Sequence, residues 1–246
     1  MFFPAYNDAP SLPGLLRKTF AVLEKHVADF EVIVVNDGSQ DTTGLVLEQI
    51  AREQRRLRII THPANRGYGG ALLSGFGAAH KDFVFYTDGD GQYDVGELPK
   101  LLAMVRPGTG LVNGYKLKRH DPAHRIWIGN VYNCCARMLF GIGIRDVDCD
   151  YRLIRRSVLN KVELTSTSGT ICVELVRKLE RSGYDVAEVG VRHYARQHGK
   201  SEFFRLPSLV KTLYQLVRLW SDVVVLGKSS ENAPDQELLR SPRKSS

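Results

Sequence analysis

Residues 87–94 read TDGDGQYD and carry three carboxylates, two of them separated by a single glycine. Asp88 and Asp90 at this spacing repel one another, and a bound cation removes the repulsion. Their hard oxygens, with the amide oxygen of Gln92, suit magnesium or manganese, which keep open positions for phosphate oxygens. The chemistry on offer is therefore a divalent metal holding a diphosphate. The plain alternative is that Asp88, Asp90 and Asp94 end a strand in a solvated turn, because Asp and Gly are common turn residues. A calcium loop is excluded at its two most demanding positions, where Tyr93 stands in place of glycine and Pro99 in place of a bidentate glutamate.

Similar polar clusters recur at PAYND (4–8), NDGSQD (36–41) and NRGYGG (65–70). Asp37 is suited to accept from a base or ribose, and Tyr6 to pack against a base. NRGYGGALL is not a dinucleotide fingerprint, since Leu72 occupies the third glycine position. Farther along, DVDCD (146–150) offers three acids. A hydroxyl nucleophile would need a carboxylate base, and Asp148 or Asp150 stands ahead of Asp146 for that role. Turn and capping duties are the ordinary alternative for all three.

These residues need a scaffold. FEVIVVND (30–37), LRIITH (57–62) and DFVFYTD (82–88) are short apolar runs that each turn polar at their end. Helical spacing fills the gaps: LPGLLRKTFAVLEKHV (12–27), a segment after Asp41 or Thr42 as cap, and GGALLSGFGAAH (69–80). This alternation predicts a doubly wound, mostly parallel α/β sheet with helices on both faces and ligands at the strands' carboxyl ends. The first strand looks curtailed, with only Met1, Phe2 and Phe3 before Pro4, which implies either a late start or a tolerated short strand. LVNGYK (111–116) predicts a fifth strand, followed by the basic loop KLKRHDPAHR (116–125) and a long interrupted helix. DVDCDYRLIRR (146–156) reads as a loop entering a strand, 172–184 as a helix and 185–195 as extended. Residues 203–226 predict an amphipathic helix, and the polar tail 227–246 predicts disorder.

The chain has 246 residues, a formal net charge of +7 and 43% hydrophobic residues. Its basic balance points to an anionic partner. The cysteines Cys134, Cys135, Cys149 and Cys172 show no metal-ligand spacing and no secretory signal precedes them, so reduced packing thiols in the cytoplasm are expected. The most apolar window, 126–144, is broken by Asn130, Asn133 and Arg137 and falls short of a membrane span.

Taken together, PAYND, VNDGSQDTT, NRGYGGA and DGDGQ occur in the order and spacing of the family 2 glycosyltransferases of the GT-A (Rossmann-like) fold, and the chain resembles that family to about residue 200. Within the family it looks most like the dolichyl-phosphate mannose synthase and polyprenyl-phosphate glycosyltransferase branch. Asp8 replaces the family's usual glutamate, Gly129 replaces the serine of an R-x-x-x-S-x-x-x-N pattern begun by Arg125, and DCDYRL departs from T-S-G-F-R-L.

The resemblance implies that Pro4, Ala5, Tyr6, Asp8, Asp37, Asp88 and Gly89 hold the nucleotide, and that Asp88, Asp90 and Gln92 bind the metal. It implies an acceptor site from Lys116, Arg125, Asn133, Arg196 and Ser201, with Asp90, Arg125 and Arg196 central to catalysis. The corresponding units are a transferase domain over residues 1–202, divided into a nucleotide-sugar half (1–115) and an acceptor half (116–202), then the helix and the tail. The expected partners are a nucleotide sugar of the GDP-mannose or UDP-glucose type, a polyprenyl or dolichyl phosphate, and the cytoplasmic face of a membrane, approached peripherally. The apolar and basic residues near 126–141 and 205–226 suit that approach; a homo-oligomer interface or core packing would use the same faces. A nucleotidyltransferase would want a basic phosphate loop after the first strand, yet no Lys or Arg precedes Arg17. A nucleic-acid module is disfavoured because the basic residues are scattered among helices and tail.

Overall fold

The computed structural model describes residues 1–118, 123–195 and 206–225. Seven strands, β1 (Phe2–Ala5), β2 (Val32–Asn36), β3 (Leu57–Thr61), β4 (Phe83–Thr87), β5 (Thr109–Lys116), β6 (Tyr151–Arg155) and β7 (Asp185–Val191), form one sheet in the order β3-β2-β1-β4-β6-β5-β7. Only β6 runs against its neighbours. The helices are α1 (Leu12–His26), α2 (Thr43–Glu53), α3 (Gly67–Ala78), α4 (Leu98–Leu102), α5 (Ala123–Phe140), α6 (Arg156–Leu159), α7 (Ile171–Glu180) and α8 (Leu206–Trp220), the last continuing into a π-helical turn over Ser221–Val225.

Strand alternation sorts the core onto two faces. Phe3, Val32, Val34, Phe85, Val112 and Leu153 meet α1, α2 and α4 on one side. Phe2, Ile33, Val35, Val84, Tyr86, Leu111 and Ile154 meet α3 and α7 on the other. A third cluster joins Ala136 and Phe140 of α5, Val173 and Val176 of α7, and Leu216 and Leu219 of α8. The inner faces of α5 and α8 are thus core, while Trp127, Val131, Met138, Tyr214 and Val217 stay exposed. Among the described residues no helix is long and apolar enough to cross a membrane.

β1 continues through Pro4 to Ala5, although it lies inside the sheet, where proline is rare. It pairs with β2 along its whole length but with β4 only at Phe2 and Tyr86. The carbonyl of Pro4 accepts from Gly89 N–H at 3.2 Å, so the missing proline N–H belongs to the β4 side. That bond keeps β1 and the end of β4 together at the edge where the polar loops gather. At the start of α2, Thr42 makes no side-chain cap; Asp41 instead accepts from Thr43 N–H at 2.9 Å. The segments 196–205 and 226–246, including the expected disordered tail, lie outside the described residues.

Candidate active site

All the strands except β6 end at one edge, and β6 begins there. Thr87 pairs with Tyr151, so Asp88 and Asp150 are the next residues outward on adjacent strands. Tyr151 Oη also donates to Asp94 O at 2.9 Å, so the two acidic motifs are neighbours across one seam.

PAYND and NDGSQD are stitched together. Asn7 adopts a left-handed φ of 57°, which Asn tolerates better than most residues. Its N–H donates to Ser39 Oγ at 3.0 Å, and its Oδ1 accepts from Gln40 N–H at 2.8 Å. Asp8 N–H donates to Thr43 Oγ1 at 3.1 Å, while Asp8 Oδ2 accepts from Tyr6 N–H at 3.0 Å. Gly38, at φ 70°, lies so close to the Ala64–Asn65 peptide that a Cβ would come within 2.6 Å of it. Asp37 is buried, its Oδ1 2.6 Å from His62 Nδ1 and accepting from Arg66 N–H at 2.9 Å. His62 Nε2 in turn lies 2.8 Å from Ser74 Oγ. His62 was not singled out by the sequence, where it reads as the last residue of an apolar run.

The Asp88–Asp90 turn is seated on β1. A Cβ on Gly89 would lie 2.8 Å from the Pro4 carbonyl, so only glycine lets the turn approach this closely. Asp88 Oδ1 accepts from Tyr68 Oη at 2.9 Å, and buried Asp90 accepts from Gln92 N–H through Oδ1 at 2.9 Å. Burial and the nearby Asp150 and Asp88 carboxylates raise the Tyr68 phenol well above its ordinary value, which keeps it a donor. Gln92, expected as a metal ligand, uses its amide nitrogen to donate to Tyr194 O at 3.0 Å, and Tyr194 N–H returns a bond to Gln92 O at 2.8 Å. Tyr93 and His193 form an isolated bridge with their rings 5.1 Å apart, and Glu97 accepts from Arg192 N–H at 2.8 Å. The end of β7 is thereby fastened to the DGDGQ loop. Two carboxylates in one tight turn fit magnesium or manganese, which need only one or two such ligands when substrate phosphates complete the shell. Among the described residues no group of three or more His, Cys, Asp or Glu side chains is placed to hold a metal ion.

Tyr68 sits in α3, and α3 rests on a loop held by a buried carboxylate. Gly69 N–H donates to Thr167 O at 3.1 Å. Glu174, 1% exposed, accepts from Thr165 N–H at 3.1 Å, Ser166 N–H at 2.8 Å and Lys178 Nζ at 2.7 Å. Burial alone would raise its carboxyl, but the Lys178 ammonium and the Ser166 donors outweigh burial and hold it below the usual glutamate value.

Among the residues expected to hold the acceptor, Lys116 at the end of β5 donates through Nζ to Asp148 O and lies 3.6 Å from Asp148 Oδ2. Asp146 is buried as a brace, accepting from Asp148 N–H at 3.1 Å and Lys116 N–H at 3.3 Å. Asn133, on α5, spends both ends of its amide on this loop, donating to Arg145 O at 2.8 Å and accepting from Val147 N–H at 2.9 Å. Beneath it lies Arg152, fully buried on β6, which donates to Asn113 Oδ1 at 2.7 Å, Val147 O at 2.5 Å and Asp150 Oδ1 at 3.3 Å. It also donates to Tyr86 Oη. Cys172 Sγ donates to the same Asp150 oxygen at 3.1 Å, and burial raises its thiol well above the usual value, so it is a neutral packing group as expected. Arg125 lies in the first turn of α5, with its side chain outside the described atoms; Arg196 and Ser201 are outside the described residues. Arg152 carries no signal in the sequence, where it is one of several arginines in YRLIRR.

The model of the family described as "Glycosyl transferase family 2" matches residues 2–163. A Pseudomonas fluorescens protein named undecaprenyl-phosphate 4-deoxy-4-formamido-L-arabinose transferase is 30% identical over 216 residues, covering 87% of this chain and 62% of that protein. A Pseudomonas aeruginosa protein of the same name is 31% identical over the same coverage. The chain thus spans about 62% of the length of these curated relatives. Among solved structures, glucosyl-3-phosphoglycerate synthase from Mycobacterium tuberculosis, in complex with Mn2+, UDP-glucose and phosphoglyceric acid, superposes with a TM-score of 0.67 at 18% identity, covering 96% of this chain and 80% of that one. Mannosyl-3-phosphoglycerate synthase from Rubrobacter xylanophilus gives a TM-score of 0.66 at 17% identity, covering 92% and 74%. These two share the GT-A-like fold. With the polar loops of the strands' carboxyl edge at residues 4–8, 36–41, 65–70 and 87–94 and the 146–150 loop all inside the matched segment, the chain belongs to glycosyl transferase family 2.

Proposed function

We propose that this chain transfers one hexose, with inversion, from a nucleotide sugar to a polyprenyl phosphate at a membrane surface. The observation that carries the reading is the Thr87–Tyr151 pairing, which makes the metal turn and the acceptor-side loop neighbours across one seam. The names of the curated relatives, which specify undecaprenyl phosphate, support the acceptor class.

Pro4, Ala5, Tyr6, Asp8, Asp37 and Gly89 line the nucleotide side, with Asp37 kept in place by His62. Asp88 and Asp90 hold magnesium or manganese on the diphosphate, aided by the carbonyl end of Gln92. When bound there, the cation stabilises charge on the departing nucleoside diphosphate. A phosphate monoester carries roughly −1.5 to −2 charge near neutral pH, so it attacks the anomeric carbon without a strong base, and the residues' main task is to orient it. Lys116, Arg125, Asn133, Arg196 and Ser201 form the acceptor side, Asn133 by bracing the loop. The exposed apolar outer faces of α5 and α8 contact the lipid surface, which makes the protein peripheral on the cytoplasmic face.

The test is to incubate the protein with polyprenyl phosphate, manganese and a panel of GDP- and UDP-sugars, and to look for a charged glycolipid. If donors bind and no glycolipid forms with any of them, the acceptor is a hydroxyl compound and Asp148 or Asp150 becomes its base. A tight, salt-dependent complex with nucleic acid in place of any transfer would remove the enzyme from consideration.

A further inference from the structure

Asp37 and His62 are buried at the same strand edge as the metal turn, and Asp37 directly follows β2 as Asp88 directly follows β4. Both donors that reach the Asp37 carboxylate converge on one oxygen: His62 Nδ1 lies 2.6 Å from Oδ1, and Arg66 N–H donates to it at 2.9 Å. A carboxylate can only accept, so Nδ1 carries the proton of this contact, and the Ser74 hydroxyl, 2.8 Å from Nε2, holds the ring in that orientation. Two donors fill the two lone pairs of Oδ1. Oδ2 receives no donor among the described residues, yet it is not sealed away from solvent. In the order β3-β2-β1-β4, β2 stands two strands from β4, about 10 Å at ordinary strand spacing. A diphosphate held at the β4 turn thus sets the ribose over β1 and the base at β2, where Asp37 offers a single acceptor.

We propose that His62 is a positioning residue that sets base specificity: by filling Oδ1 it leaves Asp37 one oxygen, which suits a base with a single imino N–H, such as uracil, and rejects guanine. This deepens the nucleotide-sugar reading and rests on it. Guanine presents N1–H and a 2-amino N–H side by side, and a carboxylate answers such a parallel pair with both oxygens. The vicinal hydroxyls of a ribose form a pair of the same kind. Uracil presents one N–H between two carbonyls, and Oδ2 alone answers it. With Oδ1 taken, the guanine amino group meets filled lone pairs, and a polar group desolvated without a partner counts against the ligand that carries it. The cost of desolvating Asp37 is common to every base and leaves their ratio unchanged. The occupied lone pair at Oδ1 matters only to a base with a second donor, so it enters that ratio directly.

The experiment uses the full chain with manganese and three probes, UDP, GDP and IDP, with binding followed by calorimetry. IDP is GDP without the 2-amino group, so the ratio of their affinities isolates the second donor from the size of the purine. The wild type is expected to bind UDP in preference to GDP, and IDP about five- to 150-fold more tightly than GDP, the span for one donor left without a partner. His62→Leu releases a lone pair of Oδ1 and should narrow the IDP–GDP gap by at least about fivefold. His62→Asn, whose amide N–H stands in for Nδ1–H, should keep the gap. Ser74→Ala frees the ring without emptying the site and should narrow the gap in part, which keeps the test open if His62→Leu does not fold. A His62 with a structural role alone would weaken IDP and GDP together and leave their ratio as it was. Binding of GDP as tight as that of IDP in the wild type, or a ratio unmoved in His62→Leu and Ser74→Ala, overturns the assignment. Failure to bind any of the three nucleotides overturns it together with the nucleotide-sugar reading. A protein that shows the expected ratios yet never glycosylates polyprenyl phosphate retains the His62 role and loses the lipid acceptor; one that glycosylates it while binding IDP and GDP equally does the reverse.

Discussion

Replacing Glu174 with glutamine should destabilise the protein in a way that depends on pH. The carboxylate is 1% exposed and collects Thr165 N–H, Thr165 Oγ1, Ser166 N–H and Lys178 Nζ within 3.2 Å. An amide of the same shape keeps one acceptor oxygen, loses the charge and turns an NH2 toward existing donors. With hydrogen bonds to a charged group worth about 1.5–3 kcal/mol each and two of these four lost, the expected cost at pH 7 is about 3–6 kcal/mol. That corresponds to a melting temperature lower by about 6–24 °C for a chain of this size. The sign with pH follows from the depressed carboxyl. A group whose folded value lies below its unfolded value contributes fully above the unfolded value, near ~4.3, and loses that contribution as pH falls through the folded value. The gap between wild type and Glu174→Gln should therefore be largest near neutrality and close as the solution is acidified. Urea denaturation at a series of pH values measures it. A gap under about 0.5 kcal/mol at pH 7, or one that stays constant into acid, refutes the reasoning. The loop released by this change supports α3, so the half-saturating manganese concentration should also rise through the Tyr68 contact to Asp88.

Asp90→Ala should abolish metal-dependent transfer while leaving the fold intact, its Oδ1 serving the N–H of Gln92 within the same turn; retained transfer would refute the metal assignment. Gly89→Ala should lower turnover by about 100-fold and stability by about 1–3 kcal/mol, since a Cβ set 2.8 Å from the Pro4 carbonyl forces the carboxylates outward; a variant with normal manganese dependence would show that the turn tolerates displacement. Gln92→Glu keeps an oxygen for the metal but loses the N–H given to Tyr194, so the manganese requirement should persist while the melting temperature drops by about 2–4 °C. Differential scanning fluorimetry beside a manganese titration separates these two effects.

The sheet was legible because each strand is a short apolar run with turn residues at its end, and periodicity needs no knowledge of distant residues. β1 was harder to delimit, since Pro4 forbids a ladder bond on one side only, and which side matters is decided by a strand some 80 residues later. The carboxylates of the DGD turn announced themselves by spacing. Their supports did not: His62 answers Asp37 from 25 residues away, Gln92 and Tyr194 are separated by 102, and Tyr68 reaches Asp88 across 20. Arg152 was invisible for a different reason. An arginine at a core-facing strand position contradicts the hydrophobic pattern, and only a carboxylate, a phenol, an amide and a carbonyl converging from three segments make its burial affordable. Lys116 was recognised as important but its present partner was not, because Asp148 becomes its neighbour only when β5 and β6 pair.

The chain has only two tryptophans, and the fold has given them opposite surroundings. Trp220 is half-buried, its indole N–H donating to Leu139 O at 3.0 Å where α8 crosses the end of α5, while Trp127 stands 67% exposed near the other end of that helix. The protein consequently carries its own optical reporter. Acrylamide should quench the red-edge emission of Trp127 and leave much of the Trp220 signal untouched, so a blue shift on adding lipid vesicles, together with loss of that quenching, would localise the contact to the outer face of α5 without any label.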